Sequence, residues 1–510
     1  MARNQEEPDA RQSPPRRGSR RWLFRVAAVL VGLSPLLVFE GLCIALDWGR
    51  PSLHNDPFIG FHSVVPLFVE SEDRSRYEIP KARQTHFCPD SFPAKKGPDV
   101  FRSFCLGGST VQGRPWAIET AFSTWLRIGL QACDPERRFE VVNCGGISYA
   151  SYRLVPILEE VLGYEPDLII LYTGHNEFLE DRTFDRVAGR GRLVNASLRA
   201  ASRLRTFTLL REGYLRLHGV SSSDPPESRP ILPTEVEALL DYRGGLEAYH
   251  RDDEWRRGVV AQYRFNLRRM VEMARDAGVD MILVNPVSNL RSSPPFKSEH
   301  RADLSPAELA EWEATCEEAH EHARRGNHDL QKAIRLFERA GRIDPLHAGG
   351  FYNLASCHQA AGQLDQAHQA YLQAKELDVC PLRILQEMNQ AVLEIARDTG
   401  TPLLDAQKLF QLRSTNQIVG GDWLVDHVHP NIEGHQLLAD ALTDKLITLG
   451  RVRPRPGWEQ VKHERYREHF NSLDDHYFLK GQERLWAERG WTQGRAKLLR
   501  PSTKNPPPKP

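Results

Sequence analysis

Short runs dominated by apolar residues alternate along this chain with stretches whose apolar residues recur at helical spacing. The runs are Val100–Leu106, Phe139–Val142, Asp167–Tyr172, Met281–Pro286 and Pro402–Asp405. The stretches between them include 121–133, with Phe122, Trp125, Leu126 and Ile128 on one side, then 155–162. They continue with 258–277, bearing Val260, Tyr263, Leu267 and Met270, and with 384–399. A strand that is apolar on both faces must be covered on both faces. The pattern therefore predicts a parallel sheet between two helical layers, a three-layer α/β fold.

Two stretches interrupt the alternation. Residues 181–255 are arginine-rich and then Pro/Ser-rich, and are expected to form a mobile insertion or lid. Residues 305–381 have only helical spacing and contain an internal repeat. Ala333, Phe337, Ala340 and Asp344 recur as Ala367, Tyr371, Ala374 and Asp378, an offset of 34 residues. That is the tetratricopeptide period, in which small residues let neighbouring helices approach closely. The stretch 350–362 suits the first helix of the second unit, and 306–325 the first helix of the first. About two such units cannot bury their faces alone and must lean on a neighbour. The α/β domain is thus expected in two parts, 99–304 and 382–450.

The chain ends differ from the middle. Residues 1–21 are polar and basic and are expected to be disordered. Residues 22–46 are mostly apolar, close to the roughly 20 residues a helix needs to cross a bilayer, with Glu40 and Pro35 as blemishes. No small-residue cleavage site follows, so an uncleaved transmembrane signal anchor is predicted rather than a signal peptide. Arg11, Arg16, Arg17, Arg20 and Arg21 set the N-terminus in the cytoplasm and the remainder in the periplasm or outside the cell. A stalk over 47–98, a helical extension over 451–500 and a disordered tail over 501–510 complete the expected organisation. With 67 Lys and Arg against 67 Asp and Glu, no global field favours nucleic acid. None of the eight cysteines has CxxC spacing, so neither a zinc ribbon nor a redox motif is indicated.

Three short segments carry the chemistry: Phe104–Thr110 (FCLGGST), Tyr172–Glu177 (YTGHNE) and Asp426–Asn431 (DHVHPN). Together they supply Ser109, Asn176, His429 and Asp426, the nucleophile, oxyanion donor, general base and orienting carboxylate that acyl transfer requires. Each has a plainer explanation. Gly107-Gly108-Ser109 could be a tight turn or hold a phosphate, and Asn176 could cap a helix. Asp426, His427, His429 and His435 could ligate a metal, although no partner motif for one is present. An α/β-hydrolase elbow is disfavoured because position 111 is Val rather than Gly.

In their order on the predicted sheet these segments resemble the blocks of the SGNH (GDSL-type) hydrolase superfamily, which implies a flavodoxin-like α/β/α fold. The resemblance covers about 98–180, 256–290 and 382–448. It implies Ser109 as nucleophile, although Gly108 stands where an Asp is usual. It makes Asn176 the side-chain oxyanion donor and Asp426 and His429 the remainder of the catalytic set. The 143–151 stretch (NCGGISYAS) resembles the second block, whose backbone donor could be Gly145, Gly146 or Ser148, an ungapped match favouring Ser148. No metal or other cofactor is expected. The function implied is a membrane-anchored serine esterase acting, through an acyl-enzyme, on an O-acyl ester of an envelope glycan or lipid. A protein partner is expected on the tetratricopeptide-like insertion. An envelope polysaccharide O-acyltransferase using the same residues, or a non-catalytic envelope scaffold, are the alternatives.

Overall fold

The computed structural model describes residues 18–46, 48–49, 66–180, 201, 204–217, 240, 245–326 and 329–492. The expected disordered termini fall mostly outside these residues, as does most of the 181–255 insertion. The chain divides into two units, Met1–His62 with Arg190–Asp224, and Ser63–Gly189 with Pro225–Pro510.

In the first unit, Gly18–Ala45 forms one helix of 28 residues that contains most of the stretch expected to span a membrane. Among the described residues, no helix is both long and apolar enough to cross a membrane. Glu40 on this helix accepts the backbone N–H groups of Arg205 (2.7 Å) and Thr206 (2.8 Å) and the Thr206 hydroxyl (2.7 Å). It thereby satisfies N–H groups that the helix Arg205–Leu217 would otherwise leave open at its start.

The second unit begins with a small antiparallel sheet of β1 (Val69–Glu70), β2 (Arg76–Glu78) and β3 (Ser91–Pro93). Residues 66–98 were expected to be stalk; they are instead built into the domain. Phe68, Phe87 and Phe92 are buried, the Phe92 ring meets Phe104 at 5.2 Å, and Leu67 and Phe68 donate their N–H groups to Glu160.

The main sheet comprises β4 (Val100–Gly107), β5 (Arg138–Gly145), β6 (Leu168–Tyr172), β7 (Asp280–Val284) and β8 (Leu403–Leu404). All neighbours pair in parallel, in the order β5-β4-β6-β7-β8. Counting these five alone the order is 2-1-3-4-5, the doubly wound flavodoxin-like arrangement. Phe122–Cys133, Ile432–Thr448 and Trp458–Asn471 pack together as one helical layer, and Ser151–Leu162, Asp253–Asp276 and Gln386–Thr399 as the other. Arg102 is a charged residue buried in β4. Its guanidinium reaches Glu140 on β5 at 2.8 Å and the carbonyls of Pro93 and Tyr164, which offsets its desolvation. Cys105 and Cys144 are wholly buried on neighbouring strands, and all eight cysteines are free thiols.

The insertion folds as two helical pairs, Pro306–Arg324 with Leu330–Ile343 and Ala348–Ala360 with Leu364–Glu376. Ala333, Ala340, Ala355, Ala367 and Ala374 are buried where these helices meet. Their core is continuous with Leu290 and Ile418 of the α/β domain, so the two units do lean on it. At the base of the insertion, Asp378 accepts the N–H groups of Phe296 and Lys297, and the buried Arg383 donates to the carbonyls of Asn289 and Ser293. The C-terminal extension is two helices, Trp458–Asn471 and Asp475–Thr492.

Candidate active site

β4 lies where the strand order reverses: the chain leaves it for β5 on one side and later adds β6 on the other. Crevices at the carboxyl ends of such strands are where doubly wound folds bind ligands. Ser109 stands just beyond β4, on the first residue of a single helical turn, Ser109–Gln112. The two preceding glycines make that turn possible. A Cβ at Gly107 would lie 2.1 Å from the Tyr172 carbonyl oxygen, and one at Gly108 would lie 2.5 Å from the Asn176 side-chain nitrogen. Gly108 thus lets the Asn176 amide approach the backbone next to Ser109.

The segment after β6 is anchored residue by residue. Gly174 has a φ of 140°, and a Cβ there would run into Ile384 at 2.5 Å. His175 accepts the Ile384 N–H at 3.1 Å, and burial holds its imidazole well below the usual pKa, hence neutral. Asn176 donates one amide hydrogen to the Tyr149 carbonyl at 3.1 Å, leaving a second for another acceptor. Glu177 accepts both the N–H (2.7 Å) and hydroxyl (2.8 Å) of Ser151; its burial outweighs these bonds and lifts its pKa to about 7.

Asp426 and His429 are three residues apart on a tight turn closed by the Val425 N–H on the His429 carbonyl (2.9 Å). One Asp426 oxygen accepts the N–H groups of Val428 (2.9 Å) and His429 (2.8 Å). The other meets His429 Nδ1 at 2.6 Å. The opposite ring nitrogen, Nε2, lies 2.7 Å from Ser109 Oγ, a contact that joins residues 320 positions apart. The ring is 1 % exposed, so its contacts are with protein rather than bulk water. Burial alone would lower the His429 pKa, but the carboxylates of Asp426 and Glu488 outweigh it and lift it to about 9. For Asp426 the same burial is outweighed by His429 and His427 and by the donated hydrogen bonds, which hold it well below the usual carboxylate range.

The 143–148 loop offers fewer donors than its length suggests. The Gly145 N–H is taken by the Asn143 side chain (2.9 Å), that of Gly146 by the Gly107 carbonyl (3.0 Å) and that of Ile147 by the His86 carbonyl (2.9 Å). Gly146, expected as a possible oxyanion donor, is therefore already engaged. Ser148, with a φ of 62°, adopts the left-handed conformation that favours glycine, and its N–H has no partner among the described residues.

Neither His427 nor His435 joins Asp426 and His429 as a metal-ligand set. His435 accepts the Phe122 N–H at 3.3 Å, and burial pushes its pKa down to about 3. Among the described residues, the group with ligand-like spacing is Asp426, His429 and Glu488.

Two residues at the site carry no motif. Asn289 donates its side-chain amide to the Asp426 carbonyl (2.7 Å) and its backbone N–H to that of His427 (2.9 Å). Glu488 approaches His429 Nδ1 at 3.3 Å. Beside the relay, a cavity of about 650 Å³ is lined by Pro294, Phe296, Leu424, His427, Leu485 and Arg489, among others.

Fold and relay together define a class: a doubly wound α/β protein with a serine–histidine–aspartate relay at the carboxyl edge of its sheet. The tetratricopeptide repeat family profile matches residues 325–379. No curated protein matches the chain. Among solved structures, it is similar to the lipase/acylhydrolase from Enterococcus faecalis at 12% identity and TM-score 0.32, with 70% of this chain and 100% of that one covered. It is also similar to Axe2, an acetylxylan esterase from Geobacillus stearothermophilus (15%, TM-score 0.30, 70% and 97% covered). A third is a putative lipolytic protein of the G-D-S-L family from Desulfitobacterium hafniense (11%, TM-score 0.28, 68% and 99% covered). These likenesses are too distant to assign chemistry, which rests on the side chains.

Proposed function

We propose that this chain is an SGNH-type serine ester hydrolase working through an acyl-enzyme. The observation that carries this is the unbroken line Ser109 Oγ–His429–Asp426, with contacts of 2.7 and 2.6 Å. Ser109 Oγ attacks the ester carbonyl while its proton passes to His429 Nε2, and Asp426 holds the other ring nitrogen and stabilises the imidazolium. Negative charge on the tetrahedral oxygen falls to the N–H groups of Ser109 and Ser148 and the second Asn176 amide hydrogen. Each such donor is worth about 3 kcal/mol of barrier. The alcohol leaves with the His429 proton. Water then attacks the acyl-serine, giving its proton to the same nitrogen, which returns it to Ser109 Oγ as the bond to the acyl group breaks and the acid departs. Turnover of p-nitrophenyl acetate and labelling by a serine-reactive phosphonate test this; wild-type protein inert to both would remove it in favour of a non-catalytic scaffold.

The substrate we infer is an O-acylated envelope glycan or lipid. The supporting feature is the neighbouring cavity, large enough for a sugar unit and lined by both apolar and polar groups. A sugar hydroxyl replacing water in the second step would make the protein an O-acyltransferase; acyl release measured with and without a sugar acceptor separates the two.

We further propose that Gly18–Ala45 anchors the protein in a membrane, with the N-terminus cytoplasmic and the catalytic unit periplasmic or extracellular. Support comes from the exposed apolar side chains Val31, Leu36, Leu37, Val38 and Ile44, and from the basic residues preceding the helix. Glu40, the one carboxylate in the apolar stretch, is already bonded to Arg205 and Thr206. Recovery in the soluble fraction after alkaline carbonate washing would reject the anchor. The tetratricopeptide units are assigned to binding a protein partner.

A further inference from the structure

The C-terminal helix Asp475–Thr492 straddles both arms of the relay. Toward the nucleophile, Tyr477 meets Thr120 at 2.7 Å, Arg484 donates to the Trp116 carbonyl at 2.6 Å, and Gly481 seats the Trp116 ring so closely that a Cβ would lie 2.2 Å from it. Toward the base, Arg489 donates to the Val425 carbonyl at 2.8 Å, just before Asp426. Between these grips Glu488 turns inward. Its Oε1 lies 3.3 Å from His429 Nδ1, the atom already held by Asp426, while its Oε2 is buried with no partner among the described residues. A carboxylate carried there for packing alone would be expensive, because burying an anion costs several kcal/mol unless a charge compensates it.

We propose that Glu488 is a positioning residue of the relay: from the C-terminal helix it presents a second anion to the His429 ring, so that the reactivity of Ser109 depends on the docking of that helix. When the Ser109 proton moves to Nε2, the ring becomes an imidazolium facing two carboxylates rather than one; burial pushes the Glu488 pKa up, and the His429 charge opposes that rise. Among the described residues, six charged or titratable groups interact electrostatically with this ring. Asp426 and His427 come from its own turn, Glu488 from the C-terminal helix, and Arg114 from the loop after Ser109. His175 comes from the loop after β6 and His435 from the helix that follows the turn. Asp426 and Glu488 are the two carboxylates among them, and their charge raises the ring pKa, whereas Arg114 lowers it. The inference rests on the hydrolase proposal for its catalytic consequence but not for its electrostatics.

The test is an imidazole-¹⁵N titration of His429 in the full-length protein, alongside the pH profile of kcat/KM, for wild type, Glu488→Gln and Glu488→Asp. Glu488→Gln keeps shape and removes charge; the ring pKa and the acid limb of the profile should both move down by about one unit. Glu488→Asp, which keeps the charge but withdraws it, should shift both less and in the same direction. It serves as the test if the Gln variant does not fold. A ring that titrates as in wild type in the folded variant overturns the proposal. A wild type without esterase turnover whose ring still shifts on Glu488→Gln would instead overturn the hydrolase assignment and leave the electrostatic pairing standing.

Discussion

The two arms of the relay are built in opposite ways. Ser109 sits at the end of an eight-residue buried strand, one glycine turn beyond hydrogen bonds to both β5 and β6. His429 sits on an irregular turn whose position is set from outside, by Asn289 below, Glu488 above and, through Asp378 and Arg383, the base of the helical insertion. The first arm is local and stiff. The second is assembled from distant chain and is only as well placed as its props.

The comparison breaks most severely at the nucleophile. Ser109→Ala removes the attacking atom, and kcat should fall by at least about 10⁴-fold with the melting temperature nearly unchanged; esterase assay and calorimetry on the same sample check both. Gly108→Ala should cost about 10²-fold in kcat, because its methyl displaces the Asn176 amide. A variant of normal activity would show that Asn176 does not serve the oxyanion. On the other arm, Asn289→Ala should lower activity by about tenfold while costing about 1–3 kcal/mol of stability, since it leaves the Asp426 carbonyl and the Ser292 N–H without their side-chain partner. Denaturant melts would separate that mixed effect from the purely kinetic one at Gly108. The perturbation that changes no heavy atom is pH. His429 must be neutral to act as base, and its pKa is raised to about 9. Activity should therefore climb through the neutral range to a plateau above about 9, and fall roughly tenfold per unit below it. A profile flat from pH 6 to 9 would mean the ring is not so charged.

The stiff arm was legible and the propped arm half so. β4, β5, β6 and β7 announce themselves because strands buried on both faces are dominated by apolar residues, even with Arg102 and Glu140 paired inside β4 and β5, and the insertion announces itself by its 34-residue period. Ser109, Asn176, Asp426 and His429 stand in short segments with recognisable spacing. The small β1–β3 sheet has no sequence signature because strands of two or three residues leave no alternation to detect, and so residues 66–98 read as a stalk. Glu488 and Asn289 were missed for a different reason. One belongs to a highly charged helix, the other to a loop, and their roles exist only once remote segments meet. The 143–148 loop is ambiguous in sequence because three of its amides look equivalent until the acceptors of the Gly145 and Gly146 N–H groups, the Asn143 side chain and the Gly107 carbonyl, are known.

The contact between residues 109 and 429 also has a temporal consequence. Translation delivers the nucleophile when barely a fifth of the polypeptide exists, while the base emerges near the end and Glu488 later still. A nascent or prematurely terminated polypeptide thus carries a serine without its imidazole. Such a fragment has no relay until the last helices have emerged.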